Sequence, residues 1–414
     1  MIKNEQYLLF LNARGVIEEQ FVILNAAREL GYNIIFLSSN MPDYMKDYIS
    51  HQVAREGNES KIIDKAIELA KTYNIVGVFS FNDPDVELAS KISKALNTPG
   101  VIPESAHLAR NKYKMRVAVY AKEKELVPNF TQIKTKQDIE NANISFPAIL
   151  KPISAAGSKG IFTVNNKEEA LLALEKLIEI SKVHSDGELY KRYGEVFILE
   201  EFISGQEFSV EGIVVGDRLY IAGITDKLTT DDWRLEYRHI FPANYDISIM
   251  EEIKSASSKI VKILGLNNCA IHLEAKWSNG KFKLIEIAAR VGGDLISTHL
   301  IAKSLGINYI KTVIHSIVSG IPPVLPESQS VSGIQFKMTN KKIIFNGLKL
   351  DSNIYNILGL DSVKELLRRG TEILLPPEDF TLQRLGFAVV QGANFIEVSK
   401  KLDTVMGYLN LYEE

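Results

Sequence analysis

The chain has 414 residues, 46% of them apolar, which is enough for roughly two to four compact units with sizeable cores. Lys and Arg number 48 against 51 Asp and Glu, a net charge of −3, so no basic field argues for nucleic acid or an anionic membrane as partner. The single cysteine, Cys269, excludes an internal disulfide framework, fits a reducing compartment and, lying in an apolar run, reads as a buried structural thiol.

The first hundred residues alternate strand and helix. Tyr7–Leu11 reads as a strand and is too short for the apolar core of a signal peptide. No window approaches the roughly 18 apolar residues of a membrane span, so the expectation is a soluble cytoplasmic protein. Ile17, Phe21, Leu24 and Ala27 recur at helical spacing until Gly31, and Asn33–Ser38 is a second strand. Ser60 is read as the cap of a helix carrying Ile63, Ala66, Ile67 and Ala70. Ile75–Ser80 is another strand, and Asn82 or Asp83 with Pro84 opens the next helix. This alternation implies a parallel sheet covered by helices. The first turn, Asn12-Ala13-Arg14-Gly15, lacks GxGxxG, so the unit reads mainly as scaffold, with a substrate edge as its further role.

From Arg110 the texture changes. A basic helix, Asn111–Lys124, runs to Pro128. A strand, Phe146–Lys151, then meets the loop Ser154–Gly160, a returning strand Ile161–Val164 and a helix Lys167–Ser181. Strands follow at Glu195–Phe202, Glu207–Val215 and Arg218–Thr225, the last two joined at Gly216-Asp217. A helix, Ile249–Leu264, stops at Gly265, and a hairpin pairs Cys269–Trp277 with Lys281–Ile287 before a helix from about Leu295 to Leu305. Pro322, Pro323 and Pro326 mark a boundary. The expected architecture is therefore α/β and α+β. It comprises a parallel-sheet unit over 1–110, a two-lobed region over 111–321 (smaller lobe about 125–200, larger lobe about 201–321) and a small α+β unit over 322–414.

The hairpin carries His272-Leu273-Glu274 against Glu286-Ile287-Ala288-Ala289-Arg290. A three-residue loop, Ser278-Asn279-Gly280, pairs Trp277 with Lys281 and sets Glu274 and Glu286 on one face as diagonal neighbours; a two-residue loop shifts the register by one and separates them. Two carboxylates on one face suit Mg²⁺ shared with phosphate oxygens, although alternating Glu residues also mark the wet face of a sheet. Arg290 adds a cation that steadies a transferring phosphoryl group. A zinc site at His272 and Glu274 lacks a further His/Cys cluster. Lys151 ends an apolar strand before a loop of small residues whose N–H groups suit phosphate, but GxxxxGK[ST] is absent.

Taken in order, these segments resemble the ATP-grasp superfamily, over residues 111–293. Asn111-Lys112-Tyr113-Lys114-Met115-Arg116 is similar to its first phosphate-contacting lysine segment, with Lys112 at the key position. Phe146-Pro147-Ala148-Ile149-Leu150-Lys151-Pro152 is similar to its second lysine strand, and the loop with Gly157, Ser158 and Gly160 to the one that folds over the triphosphate. Leu199-Glu200-Glu201-Phe202-Ile203 resembles the adenine hinge, where the backbone at Glu201 and Ile203 would contact the purine. Glu207 would hold the ribose, and Glu274 and Glu286 the metal. His239, in Arg238-His239-Ile240-Phe241-Pro242, resembles a histidine near the transferred phosphate. Ala288 stands where many members have asparagine. The sequence Glu-x-Ala-Ala-Arg followed by Gly-Gly resembles the L-amino acid ligase branch, as does the segment from Leu385 to Val390 with the helix Glu397–Leu409.

The resemblance implies ATP as substrate, Mg²⁺ or Mn²⁺ as metal, and an amide bond, in that branch a dipeptide bond, made through an acyl phosphate with release of ADP and phosphate. Arg290, His239 and Lys151 would be catalytic, and the partners would be a small carboxylate and an amine, amino acids in that branch, with a homodimer common among relatives. Trp233, Tyr237, Arg238 and Asp294 are candidates for a substrate pocket. A non-amino-acid carboxylate and a nucleotide-binding protein without turnover are the alternatives.

Overall fold

The computed structural model describes residues 5–412 apart from 40 and 184–194. Strands β1 (Gln6–Leu11), β2 (Asn33–Ser38), β3 (His51–Ala54) and β4 (Asn74–Ser80) form a parallel sheet in the order β3-β2-β1-β4. Both faces are covered, which is why the strands read as unbroken apolar runs. Leu8, Phe10, Ile34 and Phe36 face Ile310, Val313 and Ile317, whereas Tyr7, Leu9, Ile35 and Leu37 face Ile62, Ala66, Leu88 and Ile92. Each such fully buried side chain contributes on the order of 1.5–3 kcal/mol relative to exposure.

The helix Glu59–Thr72 is capped by Asn58, whose side chain accepts the Lys61 N–H at 3.1 Å, and Ser60 lies inside the first turn. Ser and Asn both cap helices, and Asn58 takes the role here because it stands two residues earlier on extended backbone. The helix Tyr309–Ser319, unassigned in the sequence reading, buries Ile310, Val313, Ile314 and Ile317 between the parallel sheet and the larger sheet described next.

Strands β5 (Phe130–Ile133), β6 (Ala148–Pro152), β7 (Phe162–Val164) and β8 (Phe197–Glu201) make a small antiparallel sheet, order β5-β8-β6-β7, backed by the helix Lys167–Val183. The larger sheet contains β9 (Gln206–Val215), β10 (Arg218–Thr229), β11 (Glu236–Phe241), β12 (Cys269–Ser278) and β13 (Lys281–Ala288). It continues without a break into β14 (Val331–Met338), β15 (Leu360–Glu365) and β16 (Arg384–Gly392). Its order is β13-β12-β9-β10-β11-β14-β16-β15, so one sheet crosses the proline-marked position at 322. β11 is absent from the sequence reading, and it is the strand that joins the C-terminal strands to the rest through pairing with β14.

The β12–β13 loop has two residues, not three: Ser278 pairs with Lys281, and Asn279 and Gly280 take φ of 51° and 73°. Both central residues in the left-handed region is the geometry Asn-Gly favours. A bulge between Glu274 and Ala275 then restores the common face, so Glu274 lies directly opposite Glu286 rather than diagonal to it. The expected helix from Leu295 to Leu305 is divided into a π-helical turn, Ile296–Leu300, and a short α-helix, Ile301–Leu305. Cys269 is buried, and burial raises its thiol to about 12, in keeping with a structural role. Among the described residues no helix is long and apolar enough to cross a membrane.

Candidate active site

A cavity of about 290 Å³ opens between the small sheet and the larger sheet. Lys112, Lys151, Gly157, Ser158, Glu200, Glu201, Ile203, Glu207, Glu274, Glu286 and Arg290 all line it, although they come from segments far apart in the chain. Gly160 and His239 do not. Gly160 ends the loop with φ of 72°, and a Cβ there would meet Leu177 at 2.9 Å. His239 is fully buried behind the wall, with Nε2 3.1 Å from Asp294 Oδ2.

The cationic end is built by one helix and one strand. Asn111 caps the helix Lys112–Glu123 by accepting the Lys114 N–H, which sets Lys112 at the first helical position. Its Nζ donates to Ala155 O at 2.6 Å and pairs with Glu286 Oε2 at 2.7 Å. One turn on, Arg116 is fully buried; Nε donates to Glu200 at 3.1 Å and Nη2 to Ile285 O at 2.5 Å, beside the bulge. Lys151 Nζ lies 2.5 Å from the other Glu200 oxygen. Burial pushes Glu200 up, but Arg116 and Lys151 outweigh it and hold the carboxyl below its usual range. Burial lowers Lys151 despite Glu200, and Arg116 and Lys112 add to that. A polyanionic ligand here would relieve the crowding of cations.

The carboxylate floor is tightly held. Glu274 Oε1 accepts from Lys227 Nζ at 2.7 Å and faces His272 Nε2 at 3.0 Å; His272 Nδ1 lies 2.7 Å from Glu211. Burial alone would lower His272, but Glu211 and Glu274 raise it to about 9, so the ring is a cation donating from both nitrogens at neutral pH. Lys227 also pairs with Glu236 at 2.5 Å. Burial, reinforced by Glu236 and Glu274, raises Glu207 to about 7. For a metal, Glu274 and Glu286 supply hard oxygen donors directly opposite each other on the cavity floor, a set that suits Mg²⁺ or Mn²⁺ completed by phosphate oxygens. Glu207, Glu236 and Glu274 are also within metal-binding reach of one another, but Lys227 already pairs with two of them.

The far end is polar and was largely illegible in the sequence. Arg384 Nη1 donates to Asp294 Oδ1 at 2.9 Å, and its Nε and Nη2 donate to Glu236 O. Arg384 draws Asp294 well below the carboxylate range against the push of burial, and His239 adds to the effect. Of the four pocket candidates, Asp294 lines the cavity, whereas Trp233, Tyr237 and Arg238 do not. Trp233 packs edge-on against Phe162 and Phe380, and Arg238 reaches Gln335, Ser399 and Asp403 instead. Alternation explains Arg238: it and its neighbour His239 point to opposite faces of β11. Lys227, Glu236 and Arg384 carry no sequence motif; only the pairing of β10 with β11 and the fold of the C-terminal strands bring Glu236 and Arg384 to the cavity and set Lys227 buried behind Glu236 and Glu274.

The loop Ser154–Gly160 forms the roof. Arg110 Nη2 donates to Ser154 O at 2.6 Å, and Ser158 Oγ donates to Arg234 O at 2.9 Å. At the hinge, Glu201 N–H donates to Asn129 O at 3.0 Å and Lys276 Nζ to Ile203 O at 3.3 Å. The Phe202 ring has Arg234 and Lys276 over it at 4.9 and 5.3 Å.

Residues 144–299 match the ATP-grasp domain family. An alanine–anticapsin ligase of Bacillus amyloliquefaciens is 27% identical over 285 residues, which cover 65% of this chain and 59% of that one; the chain thus spans about three fifths of the curated relative it matches. The crystal structure of an L-amino acid ligase from Bacillus licheniformis superposes with a TM-score of 0.83 at 19% identity, covering 99% of both chains. A phosphoribosylglycinamide synthetase structure from Anaerococcus prevotii gives 0.72 at 21% identity, covering 99% of this chain and 100% of that one. The fold is that of these ligases.

Proposed function

We propose that this chain, which belongs to the ATP-grasp superfamily, is an ATP-dependent carboxylate–amine ligase that joins amino acids through an acyl phosphate. The observation that carries the reading is the cavity in which Lys112, Lys151 and Arg290 converge on the opposed carboxylates of Glu274 and Glu286. The similarity to a relative named for ligating alanine supports amino acids as substrates.

In this reading Lys112 and Lys151 offset triphosphate charge, exchanging their pairing with Glu286 and Glu200 for phosphate oxygens. The Glu201 N–H is already spent on Asn129, so the purine edge meets the Glu201 carbonyl and the Ile203 N–H, while Glu207 takes the ribose hydroxyls. A divalent cation on Glu274 and Glu286 supplies charge neutralisation and alignment of the phosphates. The substrate carboxylate attacks the γ-phosphorus, the bond to ADP breaks, and an acyl phosphate forms. The amine then attacks the acyl carbon and phosphate leaves. Arg290 faces the charge that develops at both stages. His239, behind the wall, orients Asp294 rather than touching the reacting atoms. Gly157, Ser158 and Gly160 shape the roof that excludes water from the acyl phosphate.

The test is phosphate release from Mg·ATP with pooled L-amino acids, and mass spectrometry of the products. Lys151→Ala and Glu286→Ala should each lower ADP formation by about 10³-fold, the loss expected when charge stabilisation of phosphoryl transfer is removed. Both should fold, because Glu200 keeps Arg116 and Lys112 keeps Ala155 O. Near-normal turnover in either variant, or no amino-acid-dependent phosphate from the unaltered protein, sinks the reading.

A further inference from the structure

Buried carboxylates from the first 110 residues hold both ends of the segment from Arg290 to Leu295. At its start, Asp83 Oδ2 accepts Arg290 Nε at 2.8 Å and Nη2 as well, while Oδ1 lies 3.2 Å from Arg110 Nη1. Arg110 is the residue that ties down Ser154 at the base of the roof loop. At the other end, Glu19 Oε1 accepts the Leu295 N–H at 3.1 Å and its Oε2 accepts Arg14 Nε at 2.7 Å. Arg14 Nη1 is itself fixed on Phe81 O at 2.8 Å.

Glu19 is 1% exposed and Asp83 8%. They stand on the helix that follows β1 and on the turn that follows β4, at the carboxyl edge of the parallel sheet. Between the two clamps, Asp294 and Leu295 take φ of 53° and 61°, conformations that non-glycine residues keep only where their surroundings impose them. The π-helical turn begins at the next residue, Ile296.

We propose that Asp83 and Glu19 are positioning residues: they lock the segment so that the Arg290 guanidinium stands aimed at the transferred phosphate before substrate arrives. The parallel-sheet unit is then part of the catalytic apparatus, although none of its described residues lines the cavity. The inference rests on the reading of Arg290 as the phosphate-facing cation. A guanidinium fixed in advance spends no reorganisation at the moment of reaction. A carboxylate is required at both points because each serves two donors on opposite oxygens. An amide in its place turns its NH₂ toward one of them, so Asp83→Asn must lose Arg290 or Arg110, and Glu19→Gln must lose Leu295 N–H or Arg14.

Two readouts test it in the full chain. Hydrogen exchange over residues 290–296 should be at least about tenfold faster in Asp83→Asn and Glu19→Gln, with β1 and β4 unchanged, as expected for a local opening. Where ADP formation is measured, kcat should fall at least about thirtyfold while the ATP KM stays within about threefold, because the lost interaction acts in the transition state. Should Asp83→Asn fail to fold, Glu19→Gln carries the same test, since it disturbs one hydrogen bond of a pair. Unaltered exchange over 290–296, or exchange raised equally throughout the first four strands, overturns the proposal, as does a loss confined to KM. If the unaltered protein makes no ADP with any carboxylate, the functional reading falls separately, and the exchange measurement still decides whether the clamp exists.

Discussion

Two glycine-bearing loops border the same cavity and are built in opposite ways. In the roof, a Cβ added at Gly157 would meet nothing within 4 Å, and φ there is 70°. In the floor, a Cβ at Gly292 would lie 2.8 Å from His272 Nδ1 and 2.9 Å from Glu211 Oε2, and one at Gly293 would lie 2.9 Å from Arg14 Nη2. Glycine at 157 thus gives the roof backbone freedom, whereas Gly160 at the loop's end packs against Leu177 and the floor glycines allow close approach to buried charges. A loop with space around it can change shape over a ligand, whereas one packed on buried charges keeps what it carries in place. That division suits the phosphoryl transfer proposed for this site, which needs water excluded from one side and charge fixed on the other.

Filling the floor is the most damaging way to break this contrast. Gly292→Ala pushes a methyl group between the segment and the His272–Glu211 pair, and overpacking with a disturbed buried ion pair should cost about 3 kcal/mol. Denaturant unfolding would read this as a lowered midpoint; an unchanged midpoint would mean that the floor is as yielding as the roof.

Titration of the ion pair sharpens the same point. His272 is raised from 6.5 to about 9 in the folded chain, with Glu211 as the main source of that rise against burial. A raised folded pKa means stability that is fully present below 6.5 and lost as pH climbs through about 9, amounting to about 3 kcal/mol at ~1.4 kcal/mol per unit. Unfolding free energies measured between pH 6 and 10 should fall in the unaltered protein and fall less in His272→Gln. Parallel curves would remove His272 from the account.

The smallest effect belongs to the roof. Gly157→Ala has room for its methyl group and pays only for positive φ, about 1 kcal/mol. A thermal unfolding shift of a few degrees at most is expected, with the ATP KM raised a few-fold because the loop closes less readily. A loss as large as that of Gly292→Ala would show the two loops to be alike.

Much of the candidate site could be read from the chain because its segments resemble a family's in order, and the local elements that carry them follow from local chemistry. Asn111 before Lys112 caps a helix wherever that helix packs, and an apolar strand ending in Lys151 before small residues turns in any context. The hairpin was half legible: Asn279-Gly280 marks its turn, but the facing of Glu274 and Glu286 depends on a bulge whose extra residue, Ile285, gives its carbonyl to Arg116 from a helix some 170 residues earlier. The capping of one helix by Asn58 instead of Ser60 shows the ordinary margin of such readings.

The amino-acid sequence by itself determined many of the elements and the alternation that makes the first sheet parallel, since these follow from periodicity, capping and turn chemistry within a few residues; a common site for the lysine and carboxylate segments was implied by the family resemblance. The tertiary structure alone decided that β11 carries the larger sheet across into the C-terminal strands, that Lys227, Glu236 and Arg384 meet Asp294 and Glu274, and that Asp83 and Glu19 reach the floor segment. Apart from Lys227 with Glu236, those contacts join residues dozens to hundreds of positions apart. Their driving force is the pairing of charges already removed from water, so it exists only once the apolar surfaces have closed around them.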